Sequence, residues 1–536
     1  MARSKKATIS KILHTLCLAI AVISTLSVAV YFSYYRYKLG LVRFFDSDEL
    51  AYLSWTAHLL AGYVPYKDFL FFLTPGYLFF LIPSFIGVGH SETIFETARF
   101  SSWIVSLGAA LAVTLVAWQY RRRGWTALIA GLLFLFIPLP SNKVIEIRPD
   151  TLCFFFVMLG VAVQLGWMDA ILGRQTIDRI FLRKISKRVF FSGMLYGLGI
   201  FIAQKALVPV ACAWLLTVLF AGSVSGGSLG IRFRHTAYLV IVFSIGLLVF
   251  PGILLVWAAT MGKIDDVIYI LTKFPIEQSV IFRRYYIPPE FFFYPTDVVY
   301  GVYGEHIGYI ASTLIWTFGI GMGVFRFFTP FAVTVRARYF REILLPVLLL
   351  AQLFSYLYFV PAHHSQYLIP IVMFVVVFVA DAFGSLWRIV SRNIFATISF
   401  TGIWILLLLI LIKGFSIVFL TQINWRNTIT VSEFSKIQTA IPTTEPILDL
   451  VGLTMFHPYP YYVCCNPFKQ WDGALSRPLP STMPALEKVN YIYQGWGRLV
   501  SMFSGEEAEY IRDNFEPIGQ GTLLKRKTIP IPAGLE

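Results

Sequence analysis

A chain of 536 residues that is 57% hydrophobic and only 14% charged has too little charge to cover a soluble globule, so much of its apolar surface must face lipid. The formal net charge of +15 would suit a nucleic-acid binder, but the basic residues cluster in short stretches between apolar runs. That pattern signals membrane topology and excludes nucleic acid as the expected partner.

The chain opens on Arg3, Lys5 and Lys6, but the apolar run that follows is too long for a cleaved signal peptide and reads as a retained first helix. Eleven spans are predicted, near 12–35, 97–119, 125–140, 151–171, 189–204, 206–222, 236–260, 306–326, 343–361, 367–387 and 395–420. Basic clusters separate them at Arg3 to Lys11, Arg121 to Arg123, Arg174 to Arg188, Arg232 and Arg234, Arg326 to Arg341, and Arg388 and Arg392. With every cluster in the cytoplasm, consecutive clusters require an even number of crossings. This places the N-terminus in the cytoplasm and makes 36–96 one long outer loop. Within that loop Pro75 to Val88 is too short to span and contains Pro83, so it is expected to lie on or dip into the membrane.

After residue 420 the composition turns polar. Short apolar runs at Ile447–Leu450 and Val489–Tyr493, a helical Glu506–Asn514 and a strand-like Gly521–Leu524 predict a small α/β domain over 421–536, on the outer face. The expected organisation is a transmembrane domain over 1–420 followed by that outer domain, in a plasma (inner) membrane. No Asn-x-Ser/Thr sequon occurs in the C-terminal segment, which disfavours an endoplasmic reticulum lumen. Cys17, Cys153 and Cys212 fall in apolar segments. Cys464 and Cys465 are adjacent and lack CxxC spacing, so neither zinc nor a redox pair is expected.

This topology gathers the unusual polar residues on the outer side: Asp46-Ser47-Asp48-Glu49, Glu146 to Asp150, Lys205, Arg283-Arg284 and His363 to Tyr367. Ionisable groups at membrane depth are expensive and mark candidate sites. Asp48 and Glu49 could take a proton from a hydroxyl or orient it. The same spacing also suits a helix start, with Ser47 as cap and the two acids in the first turn. Arg148 and Asp150 flank Pro149 and could form a local ion pair. Lys205 interrupts an apolar run, as a site residue or as a snorkelling lysine between spans. Arg283 and Arg284, in a loop over 261–305, could grip a phosphate or sit in an aromatic belt. His363 and His364 lack a third ligand at metal spacing, and a helix-end cap suits them equally.

The stretch Asp48-Glu49-Leu-Ala-Tyr52, Leu60-Ala-Gly62-Tyr-Val-Pro65-Tyr66-Lys-Asp68 and Thr74-Pro75-Gly-Tyr77 resembles the first outer loop of GT-C membrane glycosyltransferases. It is similar to that of protein O-mannosyltransferases and lipid A aminoarabinose transferases. Arg148-Pro149-Asp150 and Gln366-Tyr367-Leu-Ile-Pro370 resemble later signatures of the same enzymes. The resemblance implies a GT-C-like all-α bundle using a polyprenyl-phosphate-linked sugar donor and a lipid, glycan or protein acceptor. Asp48 would be the base, with Glu49 beside it. Lys205, Arg283, Arg284 and Arg148 would face the donor phosphate. Asp46, Tyr52, Asp150, His363, His364, Gln366 and Tyr367 would contact substrate. Thr74 stands where the aminoarabinose transferases place lysine, and Asp46 adds a D-x-D spelling that leaves a divalent metal open at Asp46 and Asp48. Two other readings remain: a polymerase or ligase of lipid-linked glycans, and a membrane transporter, whose sites would lie near mid-membrane on broken helices.

Overall fold

The computed structural model describes residues 2–535 apart from 122–123, 138–142, 175–178, 225–228, 285–305, 330–335, 359, 361–364, 420–423, 425, 466–474 and 497–498. Its apolar runs are helical, because only a helix satisfies every backbone N–H and C=O of a single segment within hydrocarbon. In chain order the first helices are α1 (Ala2–Val42), α2 (Ser47–Leu60), α3 (Gly76–Leu81), α4 (Thr93–Arg121) and α5 (Ala127–Phe136). There follow α6 (Pro149–Leu172), α7 (Arg179–Ile202), α8 (Leu207–Val224), α9 (Leu229–Thr260) and α10 (Ile264–Arg284). The bundle closes with α11 (His306–Phe328), α12 (Arg336–Tyr358), α13 (Ile369–Val390) and α14 (Ile394–Phe419).

Among the described residues nine helices are long and apolar enough to cross a membrane: α1, α4, α6 to α9 and α12 to α14. Two shorter apolar segments, Gly124–Phe136 and Ser312–Phe328, match the spans expected at 125–140 and 306–326. The chain is thus a multi-pass membrane protein. Pro75 to Val88 does not span: α3 runs into a 3-10 turn at Ile82–Phe85. The loop expected over 261–305 is corrected in part, since α10 occupies 264–284. Its apolar residues fall along one face, as in a helix lying at an interface.

Helix contacts are closest between α7 and α9. A Cβ at Gly193 would meet the Phe243 carbonyl, one at Gly197 the Leu247 carbonyl, and one at Gly246 the Phe190 carbonyl. Small residues at this spacing let two backbones touch, which substitutes for the hydrophobic drive that lipid removes. At one end of the bundle Arg341 grips Asp169 through Nε and Nη2, at 2.7 and 2.9 Å. There Arg121 meets Glu342 at 2.6 Å, and Arg326 meets Asp381 at 2.7 Å. Arg99 lies about 33 Å from Arg121 along α4, at 1.5 Å per residue, and so belongs to the opposite end.

The C-terminal segment begins with α15 (Thr428–Ala440) and builds a four-stranded sheet from β1 (Ile447–Asp449), β2 (Tyr491–Tyr493), β3 (Phe515–Ile518) and β4 (Leu523–Arg526). The order is β1-β2-β4-β3, with β1 parallel to β2 and the other pairs antiparallel. Two further helices, α16 (Met483–Lys488) and α17 (Gly505–Asn514), complete it. Buried Asp449, at the end of β1, accepts from the backbone N–H groups of Val451, Gly452 and Thr454 and from the Thr454 hydroxyl. This shapes a loop that seats on α2. Gly452, at φ +100°, packs so close that a Cβ would lie 2.7 Å from the Leu50 carbonyl oxygen. Ser54 bonds Tyr459 at 2.8 Å, and the His58 ring lies between the carbonyls of Ser54 and His457 and stacks on Tyr459. The expectation for Cys464 and Cys465 is corrected as well, since their sulfurs are bonded to each other beneath Ser54 and Tyr459.

Candidate active site

The acidic stretch forms a capping box at the start of α2, with Asp46 rather than Ser47 as the cap. The Asp46 carboxylate accepts from Asp48 N–H at 3.1 Å, and the Glu49 carboxylate accepts from Asp46 N–H at 3.1 Å. Glu49 is fully buried and also accepts from Ile147 N–H at 2.8 Å and from Arg99 at 2.6 Å. Every oxygen of Glu49 therefore works to fix the turn, leaving Asp48, whose side chain is 43% exposed, as the carboxylate that faces out.

Arg148 is the hub. It precedes α6, where Pro149 at the first helical position needs no N–H partner. Its three nitrogens go to three carboxylates: Nε to Glu146 at 2.6 Å, Nη1 to Asp48 at 2.5 Å and Nη2 to Asp46 at 2.8 Å. Glu146 is fully buried and is also held by Arg43 at 2.6 Å and Lys143 at 2.8 Å. Asp150, one residue into α6, turns away from Arg148 and takes Lys205 at 2.7 Å, while the Lys205 ammonium sits 4.3 Å from the Tyr367 ring centre. The local Arg148–Asp150 pair and the unpaired snorkelling lysine are both replaced by these partners. Thr74 ties its loop to the same corner, donating its hydroxyl to the Ile200 carbonyl and its backbone N–H to the Gln204 side-chain oxygen.

Asp46, Asp48, Glu49, Glu146 and Asp150 thus meet equal numbers of cations in Arg43, Arg99, Lys143, Arg148 and Lys205. Burial works to raise the Asp46 carboxyl, but Arg148 and Lys143 outweigh it and hold the group below the ordinary carboxylate range. Glu146 behaves alike: burial raises it, and Arg43, Arg148 and Lys143 pull it down further. Glu49 goes the other way, since burial and the Glu146 charge exceed the pull of Arg99. The Tyr52 hydroxyl is pushed well up, first by burial and then by the charges of Asp48 and Asp150. It lies between the two halves of the cluster.

Asp46, Asp48, Glu49, Arg148, Asp150, Lys205, Tyr52 and Tyr367 therefore come together as the sequence implies, and Gln366 is buried beside Tyr367. The Arg283 and Arg284 backbones close α10, but their side chains, like His363 and His364 altogether, lie outside the described residues. Sequence reasoning gathered Glu146 with the outer polar residues without giving it a role, and it missed Arg43, Arg99 and Lys143 as members of the cluster. Arg99 had a usable signal: a lone arginine entering an apolar span must find a partner. As for a metal, Asp46 and Asp48 already face Arg148, and among the described residues no three His, Cys, Asp or Glu side chains group as ligands. The donor set does not fit a divalent cation.

This arrangement of helices is the GT-C fold of membrane glycosyltransferases. Solved structures that share it include the archaeal oligosaccharyltransferase AglB of Archaeoglobus fulgidus, with an inhibitory peptide and a dolichol-phosphate. It has 12% identity and a TM-score of 0.55, over 95% of this chain and 75% of that one. An oligosaccharyltransferase of the same organism tethered to an acceptor peptide gives 12% and 0.52, over 95% and 74%. ArnT of Cupriavidus metallidurans bound to undecaprenyl phosphate gives 12% and 0.50, over 82% and 85%. No sequence family and no curated protein matches the chain.

Proposed function

We propose that the chain is a GT-C glycosyltransferase that moves a sugar from a polyprenyl-phosphate carrier to an acceptor at the outer face of the membrane. The single observation that carries this reading is an exposed Asp48 fixed at a capped helix start, within a cluster that also presents Lys205. In the reaction Asp48 takes the proton of the acceptor hydroxyl, and the acceptor oxygen attacks the anomeric carbon. A new C–O bond forms as the bond to phosphate oxygen breaks, and the polyprenyl phosphate leaves with the electron pair. Attack from the face opposite the leaving group inverts the anomeric centre. Charge grows on the phosphate as it departs, so positioned cations lower the barrier. Lys205 beside Tyr367 is the leading candidate, with Arg148, Arg283 and Arg284. Asp46, Asp150, Gln366, His363 and His364 are assigned to substrate contact. Basic residues gathered at the far end of the bundle support a cytoplasmic position for that end and an outer position for residues 421–536.

The test is transfer by the purified chain, supplied with a panel of polyprenyl-phosphate sugars and read by mass spectrometry. Asp48→Asn keeps the shape of the side chain but cannot accept a proton. We expect a folded protein that binds donor and turns over at least ~10²-fold more slowly. Transfer within a few-fold of the parent would remove Asp48 from the mechanism. The oligosaccharyltransferase neighbours favour a second reading, in which the carrier delivers a preassembled glycan. The mass added to the acceptor separates the two.

A further inference from the structure

Arg148 is oriented as a phosphate-binding residue would be, yet it holds no position open for one. Its side chain is 6% exposed, and its inner nitrogen is tied to buried Glu146. The outward fork of Nη1 and Nη2 is a bidentate match for phosphate. In the structure that fork is covered by Asp48 and Asp46, the two most exposed carboxylates of the cluster. The same contact ties up Asp48 Oδ2, an oxygen whose lone pair would otherwise be open to the acceptor's proton.

We propose that the donor phosphate and the two capping aspartates exchange places on the Arg148 fork, so that donor binding itself releases Asp48 for catalysis. The inference rests on the lipid-phosphate reading above. In the exchange Glu146, itself held by Arg43 and Lys143, keeps the guanidinium in place from behind, and only the outer partners of Arg148 change. The cation that masks the base before binding becomes a cation that faces the leaving group after it. Lys143 lies 3.4 Å from Asp46 and 2.8 Å from Glu146, and it remains to pair with Asp46 once the phosphate has displaced that carboxylate. Without donor the base stays engaged, and the acceptor meets a carboxylate already paired.

The exchange makes a prediction opposite to that of a site where the aspartates help to hold the donor. Removing a competitor should tighten binding. Undecaprenyl phosphate is titrated into the full-length protein in detergent, for the parent, Asp46→Asn, Asp48→Asn, Arg148→Gln and the double variant Asp46→Asn with Arg148→Gln. Asparagine is as good a helix cap as aspartate, so Asp46→Asn keeps the turn. We expect Asp46→Asn and Asp48→Asn to bind the probe about threefold or more tightly than the parent. The gain from Asp46→Asn should vanish in the Arg148→Gln background. If Arg148→Gln does not fold, Arg148→Lys keeps the charge and removes the fork, and the gain should shrink there. Equal or weaker binding by both Asn variants overturns the exchange. So does a gain that persists in full without the Arg148 fork, because it would then come from the general field of a lost negative charge. A parent that fails to bind the probe overturns the lipid-donor reading, and the exchange with it. Normal parental binding without the gain overturns the exchange alone.

Discussion

Two adjacent acids at the start of α2 have opposite fates. Asp48 faces outward, whereas Glu49 is sealed under it and accepts from Arg99, Ile147 N–H and Asp46 N–H. The residues alone showed the pair without ranking its members, and only the family resemblance set Asp48 first, because burial depends on Arg99, fifty positions away in α4. Replacing Glu49 by Gln removes the charge that balances buried Arg99, and breaking a buried pair in this way costs about 3–5 kcal/mol. Glu49→Gln should therefore lower the thermal midpoint clearly while slowing transfer less than Asp48→Asn does. Differential scanning fluorimetry beside the transfer assay checks both halves of that statement. A stable but inactive Glu49→Gln protein would move Glu49 into the chemistry.

At the scale of elements, α2 is held from two sides, by the bundle through Glu49 and by the C-terminal segment through Gly452, Tyr459 and His457. The existence and type of the long helices were legible from apolar runs and basic punctuation. The seating of the β1 loop on α2 was not, because it depends on a positive-φ glycine and on aromatic stacking between residues about 400 apart in sequence. A methyl group at Gly452 would collide with the Leu50 carbonyl and also oppose the φ of +100°. Gly452→Ala should lower kcat more than it raises KM for donor, since it shifts the helix that carries Asp48 and leaves Lys205 in place. Steady-state kinetics read the split, and equal changes in both constants would count against it. His58, in the same seam, has its pKa lowered from the ordinary 6.5 to about 4, mainly by burial. The folded protein thus binds fewer protons than the unfolded chain. Stability from this group is complete above pH 6.5 and is lost as pH falls through about 4, by about 3 kcal/mol at most. Unfolding midpoints taken from pH 7 to pH 4.5 should fall less steeply for His58→Gln than for the parent. Parallel slopes would show that His58 does not titrate in this range.

The whole molecule has two charged ends joined by apolar helices, one rich in carboxylates and cations around Arg148 and the other built on Arg121, Asp169, Arg326, Arg341, Glu342 and Asp381. The sequence foretold both ends, because charges in a membrane protein gather where the spans stop. It could not say which charges pair, since the partners come from helices far apart in the chain. A periplasm-dependent reporter fused after Glu536 should be active and a cytoplasm-dependent one silent, and the reverse result would invert the topology. The second charged end also bears on how the protein is made. Arg121 and Asp169 enter the membrane with the early helices α4 and α6, whereas Glu342, Asp381 and Arg341 arrive only with α12 and α13. A nascent chain stalled between them has not yet made Glu342, Asp381 and Arg341, so the contacts these residues give to Arg121 and Asp169 cannot form. This end of the bundle is therefore completed only late in synthesis, whereas the acids and cations around Arg148, from Arg43 to Lys205, all precede α8 in the chain.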